Sequence, residues 1–187
     1  MKRVFLVHGW GGNGRGGYFD WLKEELPKQG IEVISFEMPE TNSPKIEKWV
    51  EFLEKNVKDL DEETYFVGPS MGGQAIMRFL EKLSPKIKIG GVVFVASWFN
   101  LTKKAYEEDG DEQIAKPWLE IPIDVEKVKK HTKNFLALFS EDDPFVPISD
   151  ADLFKNRLNA KIILKKNEGH YFKNKEQKEI RDFILKC

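Results

Sequence analysis

The sequence predicts an α/β domain, a three-layer sandwich in which a mostly parallel six-stranded sheet carries helices on both faces. Short, continuously apolar runs, such as residues 4–7 and 91–96, alternate with longer segments whose apolar residues recur at helical spacing. Strands that alternate with helices in this way are typical of a parallel sheet with right-handed crossovers. The chain has 187 residues and contains no internal repeat or Pro/Gly-rich linker, which indicates a single domain over residues 1–187.

The predicted strands are short, largely apolar runs that are followed by glycine, proline or polar turn residues. The first strand leads directly into a glycine-rich loop at residues 8–14, and the third leads into a second one at residues 68–73. The strands are predicted at residues 4–7, 32–36, 64–67, 91–96, 134–139 and 161–164.

The predicted helices combine an apolar stripe with a start or stop signal. Gly30 is a plausible stop for the first helix, and Ser43 is predicted as the N-cap of the second, with Pro44 at its first helical position. Asp124 is predicted to cap a short helix through Lys130. The helices are predicted at residues 18–28, 44–58, 75–83, 125–130, 147–157 and 175–186.

Residues 98–122 show no clear periodicity and include an acidic stretch at residues 107–112. The segment is too short to form a lid domain. We predict that it is irregular and makes a partial cover, which favours a small or open-ended substrate.

Charge and composition exclude several classes of function. Lysine and arginine (30) nearly balance aspartate and glutamate (31), so net charge gives no reason to expect binding to nucleic acid or to an anionic membrane. No apolar run approaches the roughly 20 residues that span a bilayer. Cys187 is the only cysteine, which fits a reducing compartment. The sequence therefore predicts a cytoplasmic protein.

A candidate nucleophile lies in Gly68-Pro69-Ser70-Met71-Gly72, which fits the G-x-S-x-G pattern. The motif falls between a predicted strand and a predicted helix, where a tight turn would expose the Ser70 hydroxyl above the carboxyl edge of the sheet. Small residues two positions away on either side let the strand and the helix pack closely beneath that turn. Composition alone gives about 0.04 chance matches to the pattern.

A serine nucleophile needs a base, and the chain has three histidines. His170 follows the last predicted strand, so we expect it on the same edge as Ser70. His8 ends the first strand, in a loop that favours a structural role. His131 lies in a stretch rich in lysine, which we interpret as a solvated surface segment.

The acid that orients the base is expected after the fifth strand, where Glu141, Asp142 and Asp143 are adjacent. Asp143 is favoured because Pro144 fixes the following turn and biases Asp143 toward an extended backbone. Asp142 is interpreted as a solvent-facing or turn-forming neighbour.

An oxyanion hole requires two backbone N–H groups. Met71, directly after the nucleophile, is expected to provide one, and the loop after the first strand the other, from Trp10 or, second, Gly11. Aromatic residues in segments near the carboxyl edge are candidates to line an apolar acyl pocket, although core packing is an equal alternative for each of them. The substrate-binding candidates are Trp98, Phe145 and Tyr171.

Together these motifs resemble the α/β-hydrolase superfamily. Residues 8–12, 68–72 and 142–147, with Gly169-His170, are most similar to the small retinoblastoma-binding-protein-9-like serine hydrolases, and the likeness extends over nearly the whole chain. The resemblance implies a reduced α/β-hydrolase fold with strand order 2-1-3-4-5-6, and Ser70, Asp143 and His170 as nucleophile, acid and base. Pro69 departs from the pattern, because such families commonly carry a residue with a free backbone N–H before the nucleophile.

The sequence thus predicts a serine hydrolase that cleaves a small ester, thioester or amide through an acyl-enzyme, with no metal or organic cofactor. Its expected partner is a small acyl substrate, and the oligomeric state is left open, a monomer being compatible with the sequence. An alternative is a non-catalytic binding module that keeps the same fold, which Pro69 would favour. A flavodoxin-like nucleotide-binding domain is a third, but the glycine-rich first loop lacks a phosphate-binding pattern.

Overall fold

Six apolar runs form strands within two residues of their predicted positions. The computed structural model describes residues 1–107, 111–170 and 172–187. The strands are β1 (Arg3–Leu6), β2 (Glu32–Ser35), β3 (Thr64–Pro69), β4 (Gly91–Val95), β5 (Phe135–Ser140) and β6 (Lys161–Lys165).

These strands form one sheet in the order β2-β1-β3-β4-β5-β6, and every neighbouring pair is parallel. The fold class predicted from the sequence and the strand order implied by the resemblance are therefore confirmed. Because all strands run the same way, the loops that follow β1, β3, β4, β5 and β6 meet at one edge of the sheet.

The helices cover both faces of this sheet, as predicted. Apolar residues of β3 alternate between the two sides. Phe66 packs against one set of helices, and Tyr65 and Val67 pack with α1 and α7 on the other face. The helices are α1 (Gly17–Glu25), α2 (Ile46–Asn56), α3 (Met71–Leu80), α4 (Asp111–Glu120), α5 (Val125–Val128), α6 (Asp150–Leu158) and α7 (Lys178–Lys186).

The predicted start of α2 was wrong. The helix begins at Ile46, and its N-cap is Lys45 in an extended conformation rather than Ser43. The carbonyl oxygen of Pro44 accepts a hydrogen bond from the Trp118 indole, 3.1 Å away, so Pro44 is bound to α4 before the helix starts. The sequence pattern near Ser43 carries no sign of this long-range contact.

The prediction of an irregular segment at residues 98–122 was wrong in part. It contains a short 3₁₀ turn (Lys103–Tyr106) and the ten-residue helix α4, in which Pro117 lies inside the helix. Proline is unfavourable in a helix interior, so helix propensity argues against a helix in this segment. Residues 108–110 of the acidic stretch lie outside the described residues.

Arg78 of α3 attaches α4 to the rest of the domain. Its buried guanidinium donates hydrogen bonds to the carbonyl oxygens of Trp118 and Ile121, at 3.0 and 2.7 Å, at the carboxyl end of α4. A cation at this end satisfies carbonyls that the helix leaves unpaired and opposes its dipole. Helix α4 is therefore fixed to α3, which begins immediately after Ser70.

Candidate active site

Ser70 occupies a tight turn between β3 and α3, as the motif predicted. Its backbone lies at φ 47° and ψ −123°, a conformation that a residue with a side chain rarely adopts. The Ser70 N–H donates to the carbonyl oxygen of Val95, 2.9 Å away, which ties the turn to the end of β4. The surrounding structure thus holds the serine in a strained conformation at the edge where the loops meet.

The glycines of the motif allow α3 to lie directly on the backbone that follows β1. A Cβ atom on Gly72 would stand 2.0 Å from the carbonyl oxygen of Val7 and 2.7 Å from that of His8. On Gly68 it would meet the first turn of α3, with the Gly73 nitrogen at 2.7 Å. The pattern G-x-S-x-G is therefore a requirement of backbone packing around Ser70.

Pro69 fits at the end of β3. The pairing of β3 with β1 stops at Val67, whereas the pairing with β4 continues to Pro69 opposite Val95. Proline is tolerated where a strand leaves the ladder. Pro69, the feature that favoured a non-catalytic module, is therefore the last residue of β3 and directly precedes the turn at Ser70.

Asp143 and His170 form a buried acid–base pair. The Oδ2 atom of Asp143 lies 2.9 Å from Nδ1 of His170, and the two side chains are only 2% and 10% exposed. The other carboxylate oxygen, Oδ1, accepts the backbone N–H groups of Phe145 and Val146 at 2.8 and 3.1 Å. These two amides fix the orientation of the carboxylate toward the histidine.

Asp142 has the turn-forming role predicted for it. It is exposed, and its Oδ1 atom accepts hydrogen bonds from the Ser140 hydroxyl and from the Gly169 N–H, the latter at 3.0 Å. The hydrogen bond from Ser140, followed by that from Gly169, lowers the pKa of the Asp142 carboxyl. Asp142 therefore connects the loop that carries Asp143 to the loop that carries His170.

The loop after β1 lies against the Ser70 turn. A Cβ atom on Gly9 would stand 3.3 Å from the Ser70 Cβ and 3.9 Å from the Met71 nitrogen. The Gly11 N–H donates to the carbonyl oxygen of Thr41, 2.9 Å away, so it is directed away from the serine. Trp10 lies between these two glycines, and its indole N–H donates to the Asn42 carbonyl at 3.2 Å.

His8 has the structural role that its position suggested. Its Nε2 atom accepts the backbone N–H of Met38 at 2.9 Å, so the ring proton is on Nδ1, which lies 2.7 Å from the Gly9 carbonyl oxygen. Burial lowers the pKa of His8, and the Gly9 hydrogen bond and the charge of Glu37 oppose this effect only in part. Neutral His8 therefore joins the β1 loop to the segment after β2.

Lowering the pH below about 6.5 is expected to destabilise the folded protein through His8. The pKa of His8 is lower in the folded than in the unfolded state. Its contribution to stability is therefore complete at a pH above the unfolded-state pKa and is lost as the pH falls through the folded-state pKa. Through one such group, the free energy of unfolding can fall by at most about 1.4 kcal/mol per pH unit. Urea unfolding at pH 7.5, 6.5 and 5.5 measures this dependence.

The control for this prediction is His8→Gln, which keeps a neutral acceptor near Met38 and does not titrate. Its free energy of unfolding should fall less steeply with decreasing pH than that of the wild type. Parallel curves for the two proteins would show that His8 is not responsible.

His131 is buried, which contradicts the prediction of a solvated segment. It is 1% exposed, and its Nδ1 atom lies 2.9 Å from the carbonyl oxygen of Ile87. The lysines that surround it in the sequence favour a solvent-exposed position, but the ring packs beneath the loop before β4. This position is at the amino end of the strands, opposite the edge that carries Ser70.

The three aromatic residues named as substrate-binding candidates differ in where they lie. Trp98 is 1% exposed, and its indole N–H donates to the Ser70 Oγ at 3.3 Å, a contact that the sequence did not predict. Phe145 packs edge-on against the His170 ring, with centroids 5.1 Å apart. Tyr171 lies outside the described residues.

No helix among the described residues is long and apolar enough to cross a membrane. Within the same residues, no group of three or more His, Cys, Asp or Glu side chains is arranged to hold a metal ion.

Comparison with known proteins shows a match over most of the chain. Residues 4–179 match the model of a family described as serine hydrolase. The YdeN protein of Bacillus subtilis is 27% identical over 173 residues, which are 92% of this chain and 87% of that protein. The serine hydrolase RBBP9 of Rattus norvegicus is 29% identical over 177 residues, or 90% of this chain and 88% of that one.

Solved structures show the same fold. The crystal structure of the ydeN gene product superposes with a TM-score of 0.89 at 25% identity, covering 100% of this chain and 98% of the other. Est1E from Butyrivibrio proteoclasticus, solved with bound ferulic acid, gives a TM-score of 0.72 at 16% identity, covering 100% and 87%, and shows likeness of fold alone. These matches confirm the resemblance that the motifs indicated.

Proposed function

Because the chain belongs to the serine hydrolase family, and its function is therefore hydrolytic, we propose that it cleaves a small ester, thioester or amide through an acyl-enzyme on Ser70. In this proposal Asp143 and His170 complete a catalytic triad. The observation that carries it is the buried Asp143–His170 pair, oriented by two backbone amides, at the same sheet edge as the strained Ser70 turn.

In the acylation step, the Ser70 Oγ attacks the carbonyl carbon of the substrate as His170 Nε2 takes the hydroxyl proton. The negative charge moves to the carbonyl oxygen, and the Asp143 carboxylate stabilises the imidazolium that forms. His170 then gives the proton to the leaving alcohol, thiol or amine as its bond to the acyl carbon breaks.

In the deacylation step, water attacks the acyl carbon and passes a proton to His170. The carbon–Oγ bond breaks, Oγ recovers the proton from His170, and the carboxylic acid leaves. Hydrogen bonding of His170 Nδ1 to Asp143 serves both steps, because it leaves Nε2 free of a proton in the resting state.

The oxyanion hole is proposed to consist of the Met71 and Trp10 N–H groups. Met71 is the first residue of α3, where backbone N–H groups are unpaired within the helix and the dipole favours negative charge. Gly11 was the alternative to Trp10, and its N–H donates to Thr41 instead. The position of Gly9 beside Ser70 and Met71 supports the N–H of the following residue, Trp10, as the second donor.

A small acyl group is proposed because aromatic side chains lie close to both Ser70 and His170. The Trp98 indole contacts the nucleophile, and Phe145 lies against His170. The fixed position of α4 on α3 supports a partial cover rather than a mobile lid. These features favour carboxylesterase-like activity on short acyl chains, with the Phe145 ring beside the substrate.

The proposal is tested with a fluorophosphonate probe, which labels an activated serine. Wild-type protein should be labelled at Ser70, as mapped by mass spectrometry, and should hydrolyse p-nitrophenyl acetate. Ser70→Ala and His170→Ala should abolish labelling and lower kcat by about 10³-fold or more, because a triad acts as a unit.

Ser149→Ala is the matched control, since Ser149 is exposed and makes no side-chain cap hydrogen bond in α6. It should be labelled at Ser70 and turn over substrate like the wild type. A folded wild-type protein that neither reacts with the probe nor hydrolyses the ester would refute the proposal.

We also propose that the partner is a small acyl substrate, that the reaction needs no cofactor, and that the protein is cytoplasmic. The exposed Cys187 is the only cysteine and forms no internal disulfide, which fits a reducing compartment. Fractionation of cells that express the protein would test the location.

A further inference from the structure

The Trp98 indole is directed at the reacting atom of the proposed site. Its Nε1–H donates to the Ser70 Oγ at 3.3 Å, and the ring is 1% exposed. An indole N–H is a donor only, whereas a hydroxyl has one proton and two acceptor lone pairs. When Trp98 occupies one lone pair, the Ser70 proton is directed to another partner.

The backbone around Trp98 is fixed to the same turn that holds Ser70. Gln74 of α3 donates through Nε2 to the Trp98 carbonyl oxygen at 2.7 Å. The Ser97 hydroxyl donates to the carbonyl oxygen of Gly68 at 2.8 Å. Both residues are buried, so the indole and the serine are held in one rigid unit.

Asp150 holds the other side of this loop. Its carboxylate is fully buried at the start of α6. One oxygen accepts the N–H groups of Phe99 and Asn100 at 2.6 and 2.9 Å, and the other accepts the Asn100 side-chain amide at 2.8 Å. A buried carboxylate that accepts three N–H donors fixes the residues directly after Trp98.

We propose that Trp98 is a further catalytic residue, whose indole N–H stabilises the Ser70 oxygen as it leaves the acyl-enzyme, and that Asp150 is the residue that positions it. This inference rests on the proposed function, because it concerns the second step of the same reaction.

The two steps of the reaction should depend differently on this hydrogen bond. Before acylation, the Ser70 hydroxyl oxygen is a good acceptor, so the bond exists in both the ground state and the transition state. In the acyl-enzyme, Oγ is the alkoxy oxygen of an ester and a poor acceptor. As the carbon–Oγ bond breaks, Oγ gains negative charge and the N–H donor becomes effective. Only a contact that strengthens in the transition state accelerates a step.

The test is Trp98→Phe, which removes the donor and keeps an aromatic ring. With p-nitrophenyl acetate, kcat should fall about three- to tenfold and KM should fall with it, while kcat/KM changes less than twofold, since one net hydrogen bond is at stake. Quench-flow with intact-protein mass spectrometry should show a larger acetylated fraction at steady state than in the wild type.

Trp118→Phe is the matched control. Trp118 is equally buried and donates its indole N–H to the Pro44 carbonyl, so the substitution removes a comparable hydrogen bond away from Ser70. It should leave the ratio of the acylation rate to the deacylation rate unchanged. If Trp118→Phe changes this ratio as much as Trp98→Phe does, the inference is overturned.

Asp150→Asn tests the positioning role. It should show the same joint decrease in kcat and KM, and adding it to Trp98→Phe should give no further change in the acetylated fraction, because both substitutions act through one donor. An additive effect would overturn the assignment of Asp150.

The outcomes separate this inference from the proposed function. If the wild type neither reacts nor turns over, the proposed function fails, and this inference with it. If the wild type is active and Trp98→Phe keeps its kcat and acetylated fraction, or loses kcat/KM in proportion to kcat, this inference alone fails.

Discussion

Replacing Asp143 with asparagine is expected to lower kcat by about 10³- to 10⁴-fold while leaving the fold intact. The Asp143 Oδ1 atom accepts two backbone N–H groups, and an asparagine oxygen is expected to keep that position. Its NH₂ group then faces His170 Nδ1, which must become the acceptor. The ring proton moves to Nε2, so His170 can no longer accept the proton of Ser70. Steady-state hydrolysis of p-nitrophenyl acetate measures the loss.

The matched control is Asp142→Asn, the adjacent acidic residue. Asp142 accepts hydrogen bonds from Ser140 and Gly169 through one oxygen, which an asparagine can supply equally well. We expect kcat to change less than about threefold, because an amide oxygen can accept both hydrogen bonds in place of the carboxylate oxygen. If Asp142→Asn lowers kcat strongly and Asp143→Asn does not, the acid is Asp142 and the assignment of Asp143 is wrong.

Replacing Gly72 with alanine is expected to destabilise the protein by about 3 kcal/mol or more. Helix propensity alone predicts the opposite sign, because alanine in a helix interior is favoured over glycine by about 1 kcal/mol. The new Cβ would stand 2.0 Å from the Val7 carbonyl oxygen, and the atoms it meets belong to backbone, which cannot rotate away. Steric overlap therefore outweighs helix propensity, and the backbone that follows β1 must separate from α3. Urea unfolding measures the difference.

Gly11→Ala separates this effect from ordinary glycine strain. Gly11 has φ 66°, but no atom lies within 4 Å of a Cβ built on it. Its substitution should cost only the left-handed backbone penalty, about 1–2 kcal/mol. If Gly72→Ala proves no more destabilising than Gly11→Ala, the glycine of the motif is not required for the close approach of α3 to the backbone that follows β1.

The sheet could be predicted from the sequence because buried parallel strands are short, continuously apolar runs. Residues that follow such strands meet at one edge, so Ser70, Asp143 and His170 could be named as candidates from their position and chemical type. Their arrangement as a triad stays a proposal, whereas the Asp143–His170 contact is present in the structure.

The contacts that the sequence did not reveal are long-range and involve residues with no local signal. Asp150 is at the start of a helix, where an acidic residue is ordinary, and its buried contacts with residues 99 and 100 are set by the fold. His131 is buried although lysines surround it in the sequence. Pro44 and Trp118 are joined by a hydrogen bond across 74 positions. Tertiary packing decides each of these, and a local pattern cannot.

The order of strands along the chain has a consequence for the nascent protein. The four strands β1 to β4 lie within the first 95 residues and are neighbours in the sheet, and β5 and β6 then join one edge in the order in which they are made. During synthesis, the turn that carries Ser70 can form before Asp143 and His170 have been polymerised. In the proposed mechanism, the growing polypeptide presents Ser70 without its base until the loop after β6 has emerged, so reactivity toward esters begins only after His170 is in place.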